Sequence, residues 1–182
     1  MNAPGLEDNQ RPQMDEAHVI GDRGTELWRR TIPDLFKETV ASFSEREAAV
    51  FFEQGVRWTW SELDREVDAI AHGLLALGLM KGDRVGIWSP NRYEWIMTQF
   101  ATARLGLILV TINPAYRVTE VEYVLNKVTC KALVTAARFK SSDYIGTLQE
   151  LAPELADCAP GDLQASKLPS LRAVIRTGDE ET

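Results

Sequence analysis

Nucleophiles, general bases and metal ligands are mostly His, Cys and paired carboxylates, and this sequence offers few in useful arrangements. Its two histidines are His18 and His72. His18 lies in a polar stretch. His72 follows Asp68 by one helical turn, the spacing of an exposed side-chain pair rather than of a base held against a substrate. Cys130 and Cys158 each stand alone, outside any C-x-x-C pair and away from both histidines. Two free thiols are expected, not a zinc site or a disulfide framework. Asp64, Glu66 and Asp68 alternate with other residues around a helix and do not converge on one point. No glycine-rich nucleotide fingerprint, Walker-type loop, G-x-S-x-G elbow or H-E-x-x-H helix occurs, and no two of the twelve glycines are separated by a single residue. The sequence therefore assigns no catalytic, cofactor-binding or metal-binding residue.

Two loops could still touch a ligand. Asn113-Pro114-Ala115-Tyr116-Arg117 and Ser89-Pro90-Asn91-Arg92 each follow a short apolar run that reads as a parallel strand. Open α/β sheets bind ligands beyond the carboxyl ends of their strands. A plain strand-to-helix connection is the more ordinary account of either loop, and a ligand contact stays open beside it. Trp58, Trp60, Trp88 and Trp95 sit at strand and helix spacings that suit a core.

The elements that would hold these loops begin at Pro33, a residue that suits the first turn of a helix. That helix should run to about Ser42 with Leu35, Phe36 and Val40 inward. Residues 48–53 and 56–60 flank Gln54-Gly55 and read as a β-hairpin, free to add an antiparallel edge to the main sheet. Ser61, with Asp64 three residues on, should cap a helix whose apolar stripe is Leu63, Val67, Ile70, Leu74 and Leu77, with Gly78 as its stop. Residues 84–88 form a strand. Asn91 should cap a helix with Trp95, Ile96, Phe100 and Ala103 inward, widened by Tyr93 and Met97. Residues 107–112 form the next strand, and Thr119 should cap a helix that buries Val121, Leu125 and Val128. A strand at 131–135, helix between 141 and 156, a loop at 159–169 and a strand at 172–176 complete the pattern. Strands alternating with helices give an α/β fold: a mostly parallel sheet flanked by helices, with an N-terminal β-hairpin. Residues 1–30 read as a polar arm and 31–182 as an α/β subdomain. The pattern halts where another element would begin, which suggests an incomplete subdomain.

Composition narrows the function. The chain has 182 residues, 45% of them hydrophobic, and a net charge of -7. That charge gives no general attraction for phosphate backbones, so nucleic acid is not an expected partner. No apolar run reaches the length of a membrane span. The first twenty residues contain Glu7, Asp8, Asp15 and Glu16 and no apolar core segment, so a cytoplasmic location is expected.

Four stretches, in order and at matching spacing, resemble the front of adenylate-forming (AMP-binding) acyl-CoA synthetases. They are Trp58-Thr59-Trp60-Ser61-Glu62-Leu63, the run from Gly78 through Gly82-Asp83 to Ile87, Ser89-Pro90-Asn91-Arg92-Tyr93-Glu94-Trp95, and the run from Ala103 to Asn113-Pro114. The resemblance covers roughly residues 31–176. Asn113-Pro114-Ala115-Tyr116-Arg117 is similar to the branch acting on medium- or long-chain fatty acids. The resemblance implies an N-terminal fragment of a fatty-acid–CoA ligase. The parent enzyme would use ATP, Mg²⁺ and CoA, form an acyl-adenylate and pass the acyl group to the CoA thiol. It also implies that Asn113, Tyr116 and Arg117 line the passage for acyl and pantetheine groups. The phosphate loop such chemistry needs lies beyond this stretch in the family, so the fragment alone should be inactive, and no cofactor is expected on sequence motifs within it. Apolar surface left uncovered would favour self-association, as would an open sheet edge. Two other readings remain: a naturally short, non-catalytic binding module related to the synthetase front end, and a small nucleotide-binding α/β protein, which the missing glycine-rich loop argues against.

Overall fold

A computed structural model describes residues 21, 24 and 26–178. The chain divides into two units, Met1–Arg30 and Thr31–Thr182. Of the first, residues 21, 24 and 26–30 are described; they are exposed and contain no helix or strand. Most of the expected polar arm, with His18, lies outside the described residues.

The second unit opens with α1 (Ile32–Phe43), β1 (Glu47–Phe51), β2 (Val56–Thr59) and α2 (Trp60–Ala76). It continues through β3 (Arg84–Trp88), α3 (Tyr93–Leu105), β4 (Ile108–Thr111), α4 (Val118–Lys127) and β5 (Ala132–Thr135). Then come the short β6 (Arg138–Phe139) and β7 (Ser142–Asp143), α5 (Tyr144–Leu151), a 3-10 turn at Pro153–Ala156 and β8 (Ala173–Arg176). Strands β4, β3, β5 and β8 make one sheet in that order, and all its pairings are parallel. The mixed α/β architecture expected from the sequence is the one observed.

Alternation along the central strands sorts the core into two layers. Val85 and Ile87 of β3 and Val134 of β5 pack beneath α1, α2 and α3 with Phe36, Leu63, Val67, Leu74 and Met97. Trp88 of β3 and Leu133 of β5 face the other way, against Val121, Leu125, Tyr144 and Leu148 of α4 and α5. Central strands buried on both faces explain the unbroken apolar runs that announced a parallel sheet.

Several local expectations shift. The β1–β2 hairpin is a separate antiparallel sheet and adds no edge to the main one. Its last residue, Thr59, caps α2 instead of Ser61. The Thr59 hydroxyl accepts from the Glu62 amide at 3.3 Å and Glu62 accepts from the Thr59 amide at 2.8 Å. Of the expected stripe, Leu63, Val67 and Leu74 are buried, and Ile70 and Leu77 are partly buried against the same layer. In α1, Phe36 is buried, but Leu35 is exposed. Helix α3 starts after Arg92, without a cap from Asn91, and α4 starts at Val118, one residue before the expected Thr119 cap. The buried face of α3 is Glu94, Met97, Thr98, Ala101 and Thr102; Trp95, Ile96 and Phe100 are only partly covered. Two threonines were free to turn inward because their hydroxyls bond to carbonyls one turn back, Thr98 to Glu94 and Thr102 to Thr98, at 2.7 and 2.8 Å.

Side chains expected on a solvent face also converge. Asp64 and Asp68 of α2 both pair with Arg104 of α3, the Asp64 contact at 2.6 Å. Arg104 lies over the Phe36 ring at 5.4 Å and so ties three helices together. His72 bonds the Asp68 carbonyl at 2.8 Å, not the carboxylate expected of a side-chain pair.

Candidate functional site

Chain order and spatial order diverge between β3 and β5. From β3 the chain crosses to β4 on one side, and from β5 to β8 on the other. Beyond the carboxyl ends of such a strand pair an open sheet forms its crevice. A cavity of about 760 Å³ lies there, walled by the hairpin residues Phe51, Phe52 and Gln54, by Pro90-Asn91-Arg92 after β3 and by Arg138, Phe139 and Lys140 after β5. The Ser89–Arg92 loop flagged in the sequence thus reaches the crevice. The contributions of the hairpin turn and of β6 carry no signal in spacing or type.

Gln54 fastens the hairpin to this wall. Its side-chain oxygen accepts from the Tyr93 amide at 2.9 Å, and its side-chain nitrogen donates to Glu94 at 3.1 Å. Glu94 also pairs with Arg92 at 3.1 Å. Burial pushes the Glu94 carboxyl up, but the bonds from Arg92 and Gln54 outweigh it and hold the group below the usual carboxylate range. An ionised acid stands here near the amino end of α3, where the helix dipole favours it.

Asn113, Tyr116 and Arg117 stand together in the loop after β4. Asn113 and Arg117 are exposed, and Tyr116 is partly buried against the α4–α5 layer. The Asn113 side-chain oxygen accepts from the Ala115 amide at 2.9 Å, and its carbonyl accepts from the Tyr116 amide at 3.0 Å. Glu120 accepts from the Arg117 amide at 2.7 Å, and the Arg117 guanidinium donates to Ser142 at 3.2 Å. Beneath the loop, the buried rings of Trp88 and Tyr144 stack with centroids 4.0 Å apart. Trp88 was expected as core and is core; Tyr144 carried no signal in the sequence.

The described residues offer little to a metal. Among them, no three His, Cys, Asp or Glu side chains stand where they could share an ion. The described carboxylates therefore make no Mg²⁺ site between them. Cys130 and Cys158 are both free thiols. Burial raises the Cys130 thiol to about 11, so this group is protonated and inert. Among the described residues no helix is long and apolar enough to cross a membrane.

The layered sheet with its loops at the strand ends gives the fold, and the match of residues 36–179 to the AMP-binding enzyme family gives the class: the chain belongs to that family. Among relatives, it is 45% identical over 159 residues to the human medium-chain acyl-CoA ligase ACSF2, a mitochondrial protein, covering 87% of this chain and 26% of that protein. With the zebrafish protein of the same name it is 43% identical over 170 residues, covering 93% and 28%. The chain thus spans little more than a quarter of these relatives. A fatty acyl CoA synthetase from Mycobacterium tuberculosis shares the fold, with a TM-score of 0.67 at 22% identity over 81% of this chain and 26% of that one. The N-terminal domain of FACL13 from the same organism gives 0.68 at 22% identity, over 81% and 34%.

Proposed function

We propose that this chain is the N-terminal part of a fatty-acid–CoA ligase and is inactive on its own. The whole enzyme would join a fatty carboxylate to ATP, releasing pyrophosphate. The CoA thiol would then attack the acyl-adenylate, releasing AMP and leaving the acyl thioester. ATP, Mg²⁺ and CoA belong to that whole enzyme. The observation that carries the reading is the 45% identity to a medium-chain acyl-CoA ligase along 87% of this chain but only 26% of the relative. An apolar groove of about 540 Å³ beside β8, lined by Ile70, Leu77, Met97, Val134 and Ile175 among others, adds support. It is a surface of the kind that further chain covers.

In this reading residues 31–182 are an incomplete α/β subdomain behind a polar arm, residues 1–30. Asn113, Tyr116 and Arg117 form one wall of the acyl and pantetheine passage. The reading includes a cytoplasmic location, in contrast to the vertebrate relatives, which are named as mitochondrial. The groove and the open edges of β4 and β8 are the surfaces through which the isolated chain would self-associate. ATP–pyrophosphate exchange driven by a medium-chain fatty acid tests the reading. The whole protein should exchange, and residues 1–182 alone should not. Exchange by the short chain would disprove its inactivity, and none by the whole protein would sink the ligase reading.

A further inference from the structure

The loop after β4 hangs from two buried aromatic donors. Trp88 and Tyr144 are 1% and 0% exposed. The Trp88 indole N–H donates to the Asn113 carbonyl at 3.1 Å, and the Tyr144 hydroxyl donates to the Pro114 carbonyl at 2.9 Å. These two carbonyls are consecutive, and the rings that reach them are stacked face to face, 28° from parallel. One element removed, Ser142 holds the Arg117 guanidinium. The segment from Ser142 in β7 to Tyr144 at the start of α5 therefore holds the loop at Pro114 and at Arg117, while Trp88 holds it at Asn113.

A core that needed only apolar volume would be served by Phe at 144, because the ring alone fills the space and makes the stack. The hydroxyl adds one directed bond, aimed out of the core into a loop that the strand ladder does not reach. Burial raises the Tyr144 pKa while the Arg117 charge pulls it down, and the net direction is upward, so the phenol remains a donor. Proline removes a backbone donor at 114 and restricts the residue before it, so Asn113-Pro114 has few conformations to lose when its carbonyls are fixed.

We infer that Tyr144, with Trp88 and Ser142, is a positioning residue that sets the height and orientation of the Asn113–Arg117 loop against the acyl passage. The inference rests on the ligase reading, since only there does the loop face a substrate. None of the three touches the reacting atoms.

The test uses the whole ligase with Tyr144→Phe, which keeps the stack and removes the bond, and Ser142→Ala, an alteration in the short β7 that leaves the core untouched. Losing one such bond is worth roughly a fivefold change. Tyr144→Phe should raise the KM for the fatty acid about fivefold with kcat altered less than twofold, and should speed amide exchange at Ala115, Tyr116 and Arg117 by a similar factor. Ser142→Ala should act in the same direction and more weakly. If Tyr144→Phe lowers the melting temperature but leaves KM and the loop amides unchanged, Tyr144 is a core residue only and the inference fails. If Ser142→Ala moves neither readout, the grip on Arg117 fails with it. A whole protein without ligase activity would instead overturn the ligase reading. The exchange measurement on residues 1–182 would still report whether Tyr144 holds the loop.

Discussion

Removing the Arg104 guanidinium should loosen the helical layer that covers one face of the sheet. In Arg104→Met the apolar stem remains, while three interactions are lost. The first two are ion pairs with Asp64 and Asp68, whose side chains are 33% and 51% exposed against 24% for Arg104. Solvent screening at that exposure leaves about 0.5 kcal/mol for each pair. The third is the cation over Phe36, worth about 0.5–1 kcal/mol. Asp64 and Asp68 then face each other one turn apart without a counter-charge, which costs another 0.3–0.5 kcal/mol or so. The expected loss is about 2 kcal/mol. For a chain of this size that corresponds to a melting temperature lower by roughly 4–8 °C and a urea midpoint lower by about 1 M, with an unchanged slope. Arg57→Met is the control. Arg57 pairs with Glu47 at 2.5 Å, but the two side chains are 67% and 53% exposed, and its removal should stay within about 0.5 kcal/mol. A double-mutant cycle of Arg104→Met with Asp64→Asn should return a coupling near 0.5 kcal/mol. If Arg104→Met costs no more than the Arg57 control, the three-helix clamp is a surface contact and the reasoning is refuted.

Acid should weaken the chain through Asp83. Burial raises this carboxyl, but the bond from Lys131, 2.8 Å away, and that from the Met80 amide outweigh it and hold it below the ordinary value of 3.8. A depressed folded-state pKa gives stability that is fully present above the unfolded value and is lost as pH falls through the folded one. Thermal melts from pH 7 to pH 2 should therefore show a decline beginning below about pH 4, smaller in Lys131→Met; an identical pH profile in that variant would contradict the assignment. The thiols should also differ in reactivity. Cys130, buried and with its pKa raised to about 11, should resist a maleimide at pH 8 until the chain unfolds, and the partly exposed Cys158 should react first. Equal labelling rates in the folded chain would show that the layer over Cys130 opens readily.

Residue type and spacing alone settled the α/β class, the hairpin, most of the stripe of α2 and the order of the main-sheet strands with their helices, but not the short β6 and β7. Those features are local: a 3.6-residue period places Leu63, Val67 and Leu74 on one face, and an apolar run bounded by turn residues makes a strand wherever it lies. The resemblance needed only ordered motifs, and the family match carries it over residues 36–179. What the sequence left open, or misplaced, depends on partners distant along the chain. Asp64 and Asp68 look like solvent-facing acids until α3 brings Arg104 to them across 40 and 36 residues. Gln54 is an unremarkable turn residue until it meets Tyr93 and Glu94, 39 and 40 positions on. The inward face of α3 went to its aromatic residues because hydrophobicity ranks Trp95 above Thr98. The fold buried the threonines, whose hydroxyls are satisfied inside the helix, and left the bulky rings at its margins. The aromatic hanger of the Asn113–Arg117 loop joins Trp88 at the end of β3 to Tyr144 at the start of α5, and only the stacking of α5 on the sheet brings the two rings together. Local period is a property of neighbours in sequence; hydrogen bonds and ion pairs of this kind exist only once tertiary packing has chosen who the neighbours are.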